Sequence, residues 1–130
     1  MDQLELMVSS ALFTLIWIIQ ILHYPSFKFI DKKIFAEFEA FHSNRISLIV
    51  IPLMLTECVL LALNFRFIIF LIVLLIWFST FFIQVPCHNK LKNGHDLAVI
   101  SRLISTNWIR TILWSIKLFI LVSSMEWQIG

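Results

Sequence analysis

Four stretches of the chain are apolar nearly throughout, about Leu6 to His23, Ile46 to Leu63, Phe67 to Val85 and Leu103 to Met125, and polar residues gather between them. A helix needs about 20 mostly apolar residues to cross the hydrocarbon of a bilayer, so each stretch predicts one spanning helix. Only Asn64, Phe65 and Arg66 separate the second and third stretches, which makes those two an antiparallel hairpin. An even number of spans returns both termini to one side. The two longer connections carry helical patterns of their own. In the first, Asp31 is placed to cap a helix in which Lys33 and Glu37 pair at i,i+4 while Ile34, Phe38 and Phe41 form an apolar stripe running into the second span. In the second, Asn93-Gly94 predicts a turn and Asp96 a cap. Leu97, Ile100, Leu103 and Ile104 then keep the helical period, so the fourth helix begins well before its most apolar part. Pro52 is expected to bend the second span and free a backbone carbonyl.

Composition strengthens this picture. Of the 130 residues 60% are hydrophobic and 14% charged, too little polar surface for a water-soluble domain of this size. The reading is therefore all-α: residues 1–130 as one integral-membrane, four-helix transmembrane bundle. A secreted disulfide scaffold, a nucleic-acid binder and an ordinary cytosolic enzyme are excluded on the same ground. Cys58 and Cys87 fall in the middle of one apolar run and at the end of another, which predicts different depths and no disulfide.

Charge orients the bundle. Of the ten basic residues, Lys28, Lys32, Lys33, Arg45, Lys90, Lys92, Arg102 and Arg110 lie in or beside the two long connections, against Arg66 alone on the opposite side. The positive-inside rule then places the long loops in the cytoplasm and both termini outside, in a multi-pass protein of a cell inner membrane. Asp2 and Glu5 precede the first span, with no basic n-region and no small-residue cleavage site, so this span reads as retained and not as a signal peptide.

The two halves share an order. A shift of 65 residues lays Asp31 on Asp96, Phe38 on Leu103, His42 on Asn107 and Arg45 on Arg110, and a shift of 64 lays Ile19-Gln20 on Ile83-Gln84. Each half runs from a span ending in Gln through Pro and His to an amphipathic helix with His or Asn three residues before Arg. The pattern predicts a duplicated two-helix hairpin with interfacial extensions, its halves parallel about an axis along the membrane normal.

This topology gathers His23, His42, His88 and His95 at the cytoplasmic end, with Gln20, Gln84, Glu39, Arg45, Arg102, Asn107 and Arg110. Polar groups at membrane depth face the bundle interior and often mark a site; at the headgroup boundary the same residues can simply anchor. His42, Arg45, His88, Asn107 and Arg110 are the candidate catalytic residues: imidazole as acid or base, guanidinium as a fork for a carboxylate, phosphate or enolate oxygen. His23, His42 and His88 are candidate ligands for a metal or haem, since neutral imidazole is a common ligand. Glu39 and His42 have the Glu-x-x-His spacing of di-metal bundles, but the second half lacks the matching motif. Glu57 and Lys117 each lie about seven residues from the outer helix ends, about 10 Å deep, which predicts an intramembrane ion pair.

His23-Tyr24-Pro25, Gln84-Val85-Pro86-Cys87-His88 and Asn107-Trp108-Ile109-Arg110-Thr111, set on four spans, resemble a group of small, mostly uncharacterised four-helix bacterial membrane proteins. More distantly the chain is similar to the anthrone-oxygenase-like family, whose members are also small four-span proteins with Asn-x-x-Arg near the last span. That resemblance covers the architecture and one short motif. It implies oxygenation of a polycyclic phenolic substrate without an evident cofactor motif, with Asn107 and Arg110 as the matching positions. Three functions follow from the residues as a whole: a small membrane enzyme or cofactor protein acting on a lipophilic molecule through a His/Arg/Gln-lined pocket, a non-catalytic subunit or assembly factor with a membrane-protein partner, or a small homodimeric transporter that uses Glu57.

Overall fold

The computed structural model describes residues 2–125 as an all-α chain of four long helical segments: α1 over Asp2–Phe29, α2 over Phe35–Leu63, α3 over Phe67–Leu91 and α4 over Leu97–Ser124. α4 packs along both α1 and α3, whereas α2 leans mainly on α1 and touches the first half of α3 little. Among the described residues α1, α2 and α3 are long and apolar enough to cross a membrane. α4 is as long as the others but is diluted by Asn107, Arg110 and Lys117, all three buried against the neighbouring helices.

The radial order is the reverse of a water-soluble bundle. Leu48, Phe78 and Phe119 are 71%, 59% and 72% exposed, while Lys117, Glu57 and Arg110 are 1%, 2% and 6% exposed. Apolar clusters fill the spaces between these buried polar groups: Leu12, Ile16, Met54, Ile76 and Trp114 at mid-length, Leu61, Ile69, Val73 and Leu121 toward the α2–α3 turn, and Phe27, Phe35, Leu91, Ile100 and Leu103 at the histidine end.

Neither α1 nor α3 is a uniform α-helix. Each contains one five-residue π segment, Ile19–His23 and Thr80–Gln84, closed by a bond from the fifth residue on: Tyr24 N–H to the Ile19 carbonyl and Val85 N–H to the Thr80 carbonyl. In both, a proline follows within two residues, Pro25 and Pro86. Proline lacks an N–H and its ring crowds the carbonyl four residues back, so widening the turn before it relieves a conflict the sequence creates. The two π segments are 61 residues apart (80 − 19), not the 64 to 65 of the residue matches.

Three local expectations at the start of α2 are corrected. Asp31 does not cap α2: its carboxylate accepts from Lys33 N–H at 2.9 Å, closing a turn, and the N-cap position is Ile34, without a side-chain bond. The buried stripe at the start of α2 is then Phe35 and Glu39 with Phe38 packed beside them, whereas Ile34 and Phe41 are exposed, and Lys33 and Glu37 make no ion pair among the described residues. In the second connection Gly94 has φ 137, a conformation that glycine adopts freely, and Asp96 accepts from Ala98 and Val99 N–H at 3.0 and 3.2 Å to open α4. α2 continues through Pro52 without interruption.

Removing the real cap should cost more than removing the apparent one. Asp96→Ala is expected to destabilise the fold by about 1 kcal/mol, and Asp31→Ala by less than about 0.5 kcal/mol; thermal unfolding followed by circular dichroism in detergent measures both, and equal losses would contradict the assignment.

Candidate functional site

The bundle's interior polarity is concentrated in two networks. In the second half of α4, the Lys117 ammonium lies 2.8 Å from Glu57 Oε2 on α2 and 2.8 Å from the Ser9 hydroxyl on α1. Trp114 Nε1–H donates to the same carboxylate at 3.2 and 3.4 Å. Glu57 and Lys117 are thus an ion pair with further donors and acceptors around it, the condition under which a buried pair is tolerated.

The second network sits where the π segments bring α1 and α3 against the first half of α4. Arg110 Nε and Nη2 both donate to Asn107 Oδ1, at 2.9 and 2.7 Å, one turn earlier on the same helix. Asn107 donates in turn to Gln20 Oε1 at 2.9 Å, which also accepts from Thr111, while Gln20 Nε2 donates to the Ile104 carbonyl. Gln20 comes from the α1 π segment; its counterpart Gln84, from the α3 segment, accepts from Ser79 at 2.8 Å and reaches Thr106 at 3.4 Å. The Asn107 side chain is therefore fixed at both its ends, and it fixes the guanidinium.

From Arg110 a chain of bonds runs outward. Arg110 Nη2 donates to the Tyr24 oxygen at 3.1 Å, the Tyr24 hydroxyl lies 3.0 Å from His88 Nε2, and His88 Nδ1 pairs with Glu39 Oε1. The donor inventory sets its direction. A carboxylate only accepts, so Nδ1 of His88 carries the hydrogen, and Nε2 of the neutral ring accepts from Tyr24. The opposite arrangement would have the buried phenol accept from both Arg110 and His88 and leave its own hydrogen without an acceptor. Glu39 is 0% exposed and its Oε2 has no partner. No carboxylate touches Arg110 among the described residues, so its charge is answered by oriented neutral groups with Glu39 at the far end of the chain.

Of the sequence-derived candidates, the structure brings His88, Asn107 and Arg110 into one network and sets His42 beside it, ring stacked on His88 at 6.3 Å between centroids. His23 follows, 5.5 Å from His42. Arg45 is elsewhere: it is exposed, over the Phe41 ring at 5.2 Å, and does not mirror Arg110. Both nitrogens of His88 are taken by Glu39 and Tyr24, and among the described residues no three His, Cys, Asp or Glu side chains converge to hold an ion. Cys58 and Cys87 are free thiols. His95 packs edge-on against Phe35, apart from the network.

Tyr24 and Glu39 are missing from the sequence-derived candidates as acid–base residues. For Tyr24 the signal was its place as the chain's one tyrosine, between His23 and Pro25; for Glu39 it was an acidic residue within an otherwise aromatic stripe.

Breaking the mid-bundle pair on one side should be far worse than removing it. Lys117→Met is expected to cost about 3–5 kcal/mol by leaving Glu57 uncompensated, and Lys117→Met combined with Glu57→Gln to recover most of that. Denaturant unfolding in mixed micelles reads both, and a double variant as unstable as the single would sink this account.

Compared with protein-family models, with curated proteins and with solved structures, the chain matches none of them.

Proposed function

We propose that this chain is a multi-pass protein of a bacterial inner membrane, its four helices forming a bundle across the bilayer with both termini outside, and that Glu39, His88, Tyr24 and Arg110 form an acid–base site for a lipophilic phenolic molecule. The reversed radial order supports the membrane reading: exposed Leu, Ile and Phe suit hydrocarbon, while the charges are paired inside. The excess of basic residues on the two long connections supports the orientation.

The direction of the hydrogen-bond chain carries the acid–base reading. When the Tyr24 O–H passes its proton to His88 Nε2, the phenolate faces the Arg110 guanidinium and the imidazolium faces the Glu39 carboxylate. Each half of the charge-separated state already has its counter-charge, an arrangement that lowers the cost of proton transfer. Tyr24 is then the group that takes a proton from a phenol or enol. Arg110 steadies the resulting oxyanion, since its Nη1 has only a 3.5 Å contact to Thr80. Asn107 acts by positioning Arg110, consistent with the Asn-x-x-Arg through which the chain resembles anthrone-oxygenase-like proteins.

A cavity of about 10 Å³ touches Arg110 between Leu12, Leu15, Ile16, Ile19, Val50 and Trp114. It has room for no more than one water molecule, so a ligand must displace a neighbour, and α2, which contributes Val50 and is the least anchored helix, is the one to give. The same tightness favours a second reading, a non-catalytic subunit in which the network only sets helix register.

Anthrone separates the two. Anthrone, once a base has taken its proton, reacts with O2 to give anthraquinone, and the proton returns in the water formed, with the overall balance C14H10O + O2 → C14H8O2 + H2O; the product is read by absorbance. Protein in nanodiscs should accelerate the reaction, and Tyr24→Phe or Arg110→Gln should slow it by about 100-fold or more. A wild type without effect, whose Tyr24→Phe variant loses only thermal stability, would establish the register role instead.

A further inference from the structure

The acid–base chain ends on an oxygen that nothing satisfies. Glu39 Oε2 is buried and has no donor, although a buried carboxylate oxygen ordinarily has one. Glu39 Oε1 is already committed to His88 and, at 3.3 Å, to the Ser43 hydroxyl. Oε2 is therefore where a proton can be taken up or given off without breaking the chain.

The side chain best placed to serve it is His42, three residues along the same face of α2. Its ring lies between Phe38 and His88, nearly parallel to each, at centroid distances of 6.1 and 6.3 Å, and is half-buried. The Phe27 ring meets it edge-on at 5.2 Å, and His23, also half-buried, stands 5.5 Å away. Neither the His42 nor the His23 ring has a hydrogen-bond partner among the described residues, so the nitrogens of both are uncommitted.

We propose that His42, assisted by His23, is the proton port of the buried chain, linking Glu39 to water. The steps conserve charge and atoms. His88, having received the Tyr24 proton at Nε2, gives its Nδ1 proton to Glu39 Oε1; a half-turn of the neutral carboxyl group presents that O–H to His42; the His42 ring takes it and releases its own proton outward through His23 to water. In reverse the route reloads Tyr24. His42 touches no substrate in this scheme, and its role differs from that of His88, which is locked between two partners.

The inference rests on the acid–base reading of the chain, but its test needs no substrate. In full-length protein in nanodiscs carrying 15N-histidine, the exchange of the His88 Nδ1 hydrogen with water is measurable by NMR. His42→Ala should slow that exchange by about tenfold or more, the size of effect typical of a lost proton carrier, and added imidazole should restore it. His42→Gln serves as the second variant should His42→Ala fold poorly, and is expected to be slowed and rescued alike. Exchange that is unchanged in both variants, or slowed but indifferent to imidazole, overturns the proposal. A chain inert toward anthrone whose exchange still depends on His42 supports the port and overturns only the substrate.

Discussion

Charged side chains shut inside a bundle must be answered by side chains on other helices, and in this protein the demand comes from α4. Lys117 and Arg110, two turns apart, project from one helix into a low-dielectric interior where an unanswered charge costs several kcal/mol. Lys117 draws Glu57 from α2 and Ser9 from α1. Arg110 draws Tyr24 from α1 and, through it, His88 from α3 and Glu39 from α2. Every other helix is thus tied to α4 through a polar bond or a chain of them, and the apolar clusters fill the space those ties define. That α4 is the least apolar of the four helices and also the most central follows from the same demand.

The two polar networks differ in kind. The Glu57–Lys117 pair has direct opposite charges at contact distance, surrounded by donors that fix it, which suits a fastening with one stable arrangement. The Arg110 network spreads one positive and one negative charge to the two ends of a line of groups that can hand hydrogens along. A fastening gains from being static; a line of this sort has a second, nearly balanced arrangement built in. This contrast is why the transporter reading centred on Glu57 has less support than acid–base chemistry centred on Tyr24.

Helices were easy to read from the sequence because each apolar run is long and the turns carry their own signals: Asn93-Gly94 and Asp96 lie where the chain turns and α4 begins. The closeness of Glu57 and Lys117 was also legible, since equal depth on neighbouring helices is arithmetic at 1.5 Å per residue. Partners within the histidine end were not. Aligning the halves by residue type paired Arg45 with Arg110, but one is exposed and the other buried: α2 and α4 begin at Phe35 and Leu97, so residues matched at a shift of 65 fall at different positions in the two helices. Asp31 failed as a cap for a related reason: an aspartate near a helix start serves a turn as well as a cap, and the aromatic packing of Phe35 decided where α2 begins. Nothing in residue spacing reports an inserted π residue, and phase beyond such an insertion is lost to periodicity.

The π segments bear on how this chain can change over evolutionary time. A bond reaching five residues back encloses one residue more than an α-turn, so the part of α1 beyond His23 is rotated by about 100° relative to the part before Ile19. α1 is in effect two coaxial rods of different phase: the first presents Ser9, Leu12 and Ile16 to the mid-bundle core, the second presents Tyr24 and Phe27 to the histidine end. Straightening the segment into α geometry without removing a residue would leave a more regular and locally more stable helix, yet would swing Tyr24 away from Arg110. Drift toward the smoother helix is thereby tied to the loss of one residue, because Tyr24 and Phe27 keep their direction only if the extra residue goes with the irregularity.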